Sequence, residues 1–263
     1  MNIYLHELKS YRKSFLIWSL SLVFMVWMGI VEFLSSKGNN SLSEMYNNLP
    51  PSLKTLMGGG DFDVSTAIGY YSILFIYIEL TVVIHAALLG VGIISKEERD
   101  KTIEFLLTRP ISRNSVLIRK TLATFTQILL LNLVLAISSI LIFNTNSETP
   151  IITGLLKLMI GMLLLQILFS SFGLFMASLK KQHKTAGSIV ISVVLVTFIM
   201  SILTDLHKNL RFLSHLTPFR YFDAKTLLLE SGFKLGYILI CIFLSILFLF
   251  LSHYFYNKRD LSL

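Results

Sequence analysis

The amino-acid sequence predicts an all-α membrane protein with six transmembrane helices. It adds an N-terminal interfacial helix, a charged cytoplasmic helix between spans two and three, and an outer interfacial hairpin between spans five and six. Three observations predict this. Hydrophobic residues make up 54% of the 263 positions and charged residues only 14%, where a soluble domain carries about 25% charged residues. The apolar residues gather into six runs of about 20 residues or more, enough to cross a ~30 Å hydrocarbon core. The charges lie between those runs, so the net charge of +8 marks membrane-flanking loops and not a nucleic-acid surface. A single membrane domain over residues 1–263 follows, with no internal repeat, low-complexity segment or appended soluble domain.

Taken in order, the chain opens on MNIYLHELKSYRKS. Tyr4, Leu5, Leu8 and Tyr11 make an apolar face there, with Lys9, Arg12 and Lys13 toward headgroups. Phe15 to Leu34 is the first span; its apolar run is too long for a signal peptide. Residues 35–66 form a loop rich in Asn, Ser, Pro and Gly. The later spans are expected at Ala67 to Ile94, Thr121 to Phe143, Ile151 to Leu179, Ala186 to Leu206 and Lys234 to Tyr256. Lys157 snorkels from the outer end of the fourth. Between spans five and six, residues 207–233 alternate apolar and basic residues, as a segment lying in or dipping into the outer interface would. Asp223 is placed to cap a short helix there and Gly232 to end it. Gly232 and Gly236 give a GxxxG spacing suited to close helix contact. Lysines and arginines are denser in the N-terminal arm, residues 95–120, residues 180–185 and the tail than in the opposite loops. Both termini are therefore expected in the cytoplasm.

The stretch from Ser95 to Lys120 stands apart, with seven Lys or Arg against four Asp or Glu. A pure topological anchor needs only the bases, since acids contribute little to orientation. Here Glu97, Glu98, Asp100 and Glu104 accompany them, and Thr102, Ile103, Leu106 and Leu107 fall on one helical face. That mixture favours docking against another protein. Ser95 and Glu98 have capping-box spacing; a span running straight through them is the alternative. Pro110 disfavours helix at Arg109, and Ser112 can cap the next helix.

Several chemistries are excluded by what is missing. No Gly is followed by Lys, so there is no phosphate-binding Gly-x-x-x-x-Gly-Lys loop. There is no CxxC, HExxH or GxSxG, and the six His are scattered. The lone Cys241 forbids an internal disulfide. Asp61 and Asp63 in MGGGDFD lack the further ligands of a calcium loop, so a turn is expected. Within the spans, Glu79 lies about 22 Å and His85 about 14 Å from Ile94, and six residues of rotation put them on different faces. An ionisable group in a span normally faces the bundle interior or a wet cavity. Glu79, His85 and Asn132 are accordingly the candidates for a translocation path, against the plainer reading of interior packing. Gln127, Asn132 and Gln166 suit interhelical hydrogen bonds.

The 95–120 stretch resembles the first cytoplasmic loop of type-2 ABC exporter permeases (the ABC-2 family). Its coupling helix reads roughly Glu-x-x-x-Gly-Thr-x-Glu-x-Leu-Leu-x-x-Pro-x-x-Arg before a Lys opening the next span. Glu97, Thr102, Glu104, Leu106, Leu107, Pro110, Arg113 and Lys120 match it, with Lys101 in place of Gly. LPPSLKTLMGGGDFDVSTAIGYYS resembles that family's first outer loop, LTPFRYF its outer hairpin, and Arg259–Asp260 its Arg-Asp tail. The resemblance implies a multi-pass subunit of the bacterial plasma membrane, paired with a second copy or a related permease, and served by a cytoplasmic ABC ATPase dimer. ATP and Mg would sit on that partner, leaving this chain without cofactor or catalytic residue and not an enzyme by itself. Glu98, Arg99 and Arg109 join the matched residues as the expected ATPase contact, and spans two and five would line the path. Few fixed charges in the spans suggest amphipathic substrates such as antimicrobial peptides, drugs or lipids. The rival classes are a proton-coupled secondary transporter or channel using Glu79, an intramembrane enzyme, for which no clustered constellation is present, and a structural anchor.

Overall fold

The computed structural model describes residues 3–37, 46, 48–58, 62–99, 112–145, 150–180, 183–206, 208–229 and 232–258. Among them there is helix and no strand. In chain order these are α1 (Ile3–Lys37), α2 (Pro51–Leu56), α3 (Ala67–Arg99), α4 (Arg113–Asn144), α5 (Ile152–Leu179) and α6 (His183–Leu206). A 3-10 turn (Lys208–His215), α7 (Pro218–Tyr221), α8 (Ala224–Leu228) and α9 (Leu235–Lys258) follow. Six of them, α1, α3, α4, α5, α6 and α9, are long and apolar enough to cross a membrane. Each begins within a few residues of a predicted span, except α1 and α4, which start earlier.

α5 is the centre of the bundle, packing against α3, α9, α4 and α6. Two thirds of its most apolar window (67%) is buried, against 17% for α9, so α5 is enclosed by protein and α9 shows most of its surface outward. The α3–α5 contact is close because both helices present glycine. A Cβ at Gly90 would collide with the Ser170 carbonyl, and one at Gly173 with the Ala87 carbonyl. Small residues that let two backbones approach are the usual means of helix packing in a lipid solvent, where apolar side chains gain nothing by leaving the lipid. The expected contact through Gly232 and Gly236 is not made among the described residues: neither would meet one of their atoms within 4 Å if given a Cβ.

Two further expectations are corrected at helix ends. Residues 3–14 do not form a separate interfacial helix; they are the first turns of the 35-residue α1. Their buried residues are Ile3 and Glu7, four apart on one face, while Leu5 is exposed. Further along α1, Leu22, Val26, Ile30 and Phe33 are buried and Leu20, Phe24, Trp27 and Val31 exposed, the stripe pattern of a helix at the edge of a bundle. Ser95 caps nothing. α3 runs on to Arg99, and the Ser95 hydroxyl donates to Val91 O four residues back (3.0 Å). A cap serves backbone amides that lack an intrahelical acceptor, and in an unbroken helix those after Ser95 already have one. Ser112 does cap α4, its Oγ accepting from Ser115 N at 3.3 Å.

At the opposite end, the segment between α6 and α9 enters the bundle. Asp223 caps α8 through Thr226 N, and Gly232, at φ 68°, returns its N–H to Thr226 O. That positive φ is a conformation glycine adopts without steric cost. Gly161 makes the seat for this hairpin: a Cβ there would lie 2.8 Å from Leu227 Cδ1 and 2.9 Å from Phe222 Cβ. Gly161 is nine residues into α5, about 13 Å along the helix. Phe219 packs against Phe169 of α5 and Phe198 of α6, ring centroids 5.4 Å apart in each case. The Tyr221 hydroxyl donates to His215 O while its ring stacks on Tyr237 of α9 at 4.6 Å.

Candidate functional site

The charged stretch between α3 and α4 is described only at its roots. Glu97, Glu98 and Arg99 carry the helical backbone that ends α3. Thr102, Glu104, Leu106, Leu107, Arg109 and Pro110 lie outside the described residues. Arg113 opens α4, and its Nη1 donates to Asn257 O of α9 (3.5 Å). Asn257 Nδ2 in turn donates to Asn114 Oδ1 (2.8 Å), fastening the end of α9 beside the start of α4.

Just inside these roots sits a buried charge cluster that sequence reasoning missed. Glu7 of α1, 1% exposed, lies 3.5 Å from Lys96 Nζ of α3 and 3.8 Å from Lys120 Nζ of α4. Lys96 also donates to Ser10 Oγ at 2.7 Å and stands over the Tyr11 ring. Lys120 is fully buried and donates to Ile93 O. One carboxylate from the N-terminal arm thus holds both flanks of the charged stretch. The signal available in the sequence was an acid four residues from Ile3 in an otherwise basic arm, a spacing that puts the two on one face.

The three path candidates are separated. Asn132 of α4 is committed to α5, its Nδ2 donating to Met159 O (3.2 Å) and Gln166 Oε1 (3.0 Å). His85 faces α1, its ring 4.8 Å from that of Trp18. Glu79 points the other way along α3, into a cavity of about 130 Å³ bounded by α3, α6, the 210–228 hairpin and α2. It is 3% exposed, and no described residue hydrogen-bonds its Oε1. Thr55, Ser72, Ser201, Asp205, Arg220, Asp223 and Lys225 supply other polar groups of the lining. Arg220 Nη1 bridges Asp205 Oδ2 (2.7 Å) and Asp223 Oδ2 (3.1 Å), so one guanidinium ties the end of α6 to the hairpin.

Of the acids in the 57–63 loop, Asp61 lies outside the described residues. Asp63 accepts from the Ser65 hydroxyl (2.6 Å) and amide (3.0 Å), which hold its carboxyl below the ordinary range. It makes a turn leading into α3, and no cluster of metal-ligating side chains occurs among the described residues.

The helical architecture and the long apolar helices are what a multi-pass membrane transport component requires, and comparison with known proteins agrees. No curated protein matches the chain. A family model described as ABC-2 family transporter protein matches residues 1–261, almost the whole length. The chain belongs to the ABC-2 family of transporter proteins.

Proposed function

We propose that this chain is the permease subunit of an ATP-driven exporter in a bacterial plasma membrane, with both termini in the cytoplasm and the ATPase on separate chains. ATP and Mg belong to that ATPase dimer, which meets the stretch Glu97 to Arg113. A second copy or a related permease completes the assembly. The substrates are amphipathic, of the kind represented by antimicrobial peptides, drugs and lipids.

The observation that carries this reading is the unbroken α3. It runs from Ala67 to Arg99, about 50 Å at 1.5 Å per residue, with Glu97 and Glu98 at one end and the Glu79 cavity beyond its middle. A push on the loop is delivered along a rigid rod, and the Glu7–Lys96–Lys120 cluster makes α3 and α4 move with α1. The cavity lies between α3 and α6, the second and fifth spans, where the family resemblance expects the path. Mild-detergent extraction of native membranes, pull-down and mass spectrometry test the reading. A co-purifying ABC ATPase that is lost from the Glu98→Lys, Leu106→Lys double variant is the expected result. A chain that purifies alone and still moves solute across vesicles refutes it.

A further inference from the structure

We propose that the cavity beneath the hairpin binds one cationic N–H group, an ammonium or guanidinium, carried by the transported substrate and held by the Glu79 carboxylate. This rests on the transport reading above and names the substrate chemistry it leaves open.

Acceptors on the lining include the carboxyls of Glu79, Asp205 and Asp223. Glu79 Oε1 is buried with no described donor, and a carboxyl removed from water takes up its charge only when a cationic partner replaces its hydration. The serine hydroxyls on the lining do not supply that partner. Ser72 Oγ donates to Ile68 O (2.8 Å) and Ser201 Oγ to Phe198 O (2.7 Å), so each has spent its one hydrogen and offers lone pairs to the cavity. Arg220 is engaged by Asp205 and Asp223. Three carboxylates, Glu79, Asp205 and Asp223, stand on the lining against two described cations, Arg220 and Lys225.

Size and shape narrow the guest. A volume of about 130 Å³ admits a head group the size of ethylammonium. Phe75, Phe198 and Phe219 on the same lining offer apolar surface to the alkyl stem. The cavity thus takes the charged end of an amphipathic molecule and leaves its apolar body to lie elsewhere. Glu79 stands twelve residues in from Ala67, about 18 Å along α3, so the bound charge would rest deep in the bundle with its counter-charge already in place.

Thiol labelling tests this without ATP or any partner, so its outcome is independent of whether the chain works with an ATPase. Ser201→Cys is placed in a Cys241→Ser background, and the purified full chain is treated with 2-aminoethyl and 2-sulfonatoethyl methanethiosulfonate. Each rate is divided by that reagent's rate with a free thiol. The cationic reagent should react about tenfold faster or more, as a focused negative potential requires. Millimolar ethylammonium should slow it. Glu79→Gln should bring the two rates near parity, while Glu79→Asp, which keeps the charge, should retain the preference and shows that the site still folds when the side chain changes. Equal rates, an anionic preference, a preference unchanged in Glu79→Gln, or no labelling by either reagent overturns the proposal.

Discussion

Glu7 carries more consequence than its place in a basic arm suggests. It is nearly inaccessible and sits between two lysines, one of them with no exposure at all. Removing one partner from a buried ion pair leaves the other charge uncompensated and costs about 3–5 kcal/mol. Glu7→Gln should therefore lower the midpoint of detergent-monitored unfolding and loosen the charged stretch. The triple variant Glu7→Leu, Lys96→Met, Lys120→Met should recover most of that loss, because apolar replacement of all three partners removes the charges together. If Glu7→Gln unfolds like the parent chain, Glu7 is not the clamp described above. Residue-scale features divide sharply in how far they are legible from the chain. Ser112 and Asp223 are recognisable caps because a cap needs only its neighbours three residues on. Glu7 is only partly recognisable: its spacing from Ile3 shows a shared helix face, but its two lysine partners come from other helices and no spacing in the chain encodes that meeting.

At the scale of elements, the bundle is arranged around the close α3–α5 approach and the hairpin seat on α5. Gly173→Val should separate α3 from α5, since its side chain would enter the Ala87 carbonyl; overpacking of this kind costs about 1–3 kcal/mol or more. Gly236→Val, with nothing within 4 Å, should leave stability unchanged, and thermal unfolding of the two variants side by side checks the contrast. Gly161→Leu should displace Phe222 and Leu227, and limited proteolysis should then cut the 207–233 segment where it spares the parent chain. The six long helices were legible because a run of about 20 apolar residues has one stable form in lipid, where each backbone amide must find its partner within the helix. Their contacts were not legible. The sequence shows one GxxxG at Gly232 and Gly236, yet the helices approach through Gly90 and Gly173, which sit in different spans and form no local pattern. Of the two readings open at Ser95, the span running straight through holds, because helix propagation outcompetes a cap wherever the preceding turn is intact.

For the whole molecule, the continuity of α3 makes a mechanical prediction. Two glycines inserted after Ser95 would raise the flexibility of the rod between the loop and the cavity. The ATPase should still co-purify while most substrate transport is lost, measured as ATP-driven uptake into inside-out vesicles. If transport is retained, the rod is not the route by which the loop acts. Family membership was legible at this scale because the 95–120 stretch combines acids, bases and an apolar face in a fixed order, a pattern spread along the chain and independent of folding. The cavity was only half legible. Glu79 stood out as an acid within a span, but Asp205, Arg220 and Asp223 join it only once the hairpin has entered the bundle.

That entry also dictates an order of assembly. The seat at Gly161 belongs to the fourth membrane helix, whereas Phe222 and Leu227 emerge from the ribosome some 60 residues later. Until then the growing protein carries an open crevice along its central helix, lined by Phe169 and unable to close on itself. A polypeptide stopped before residue 219 would keep that crevice for good. Stop codons at positions 207–218 should therefore yield chains cleared by membrane proteases, even though five of the six long helices are already complete.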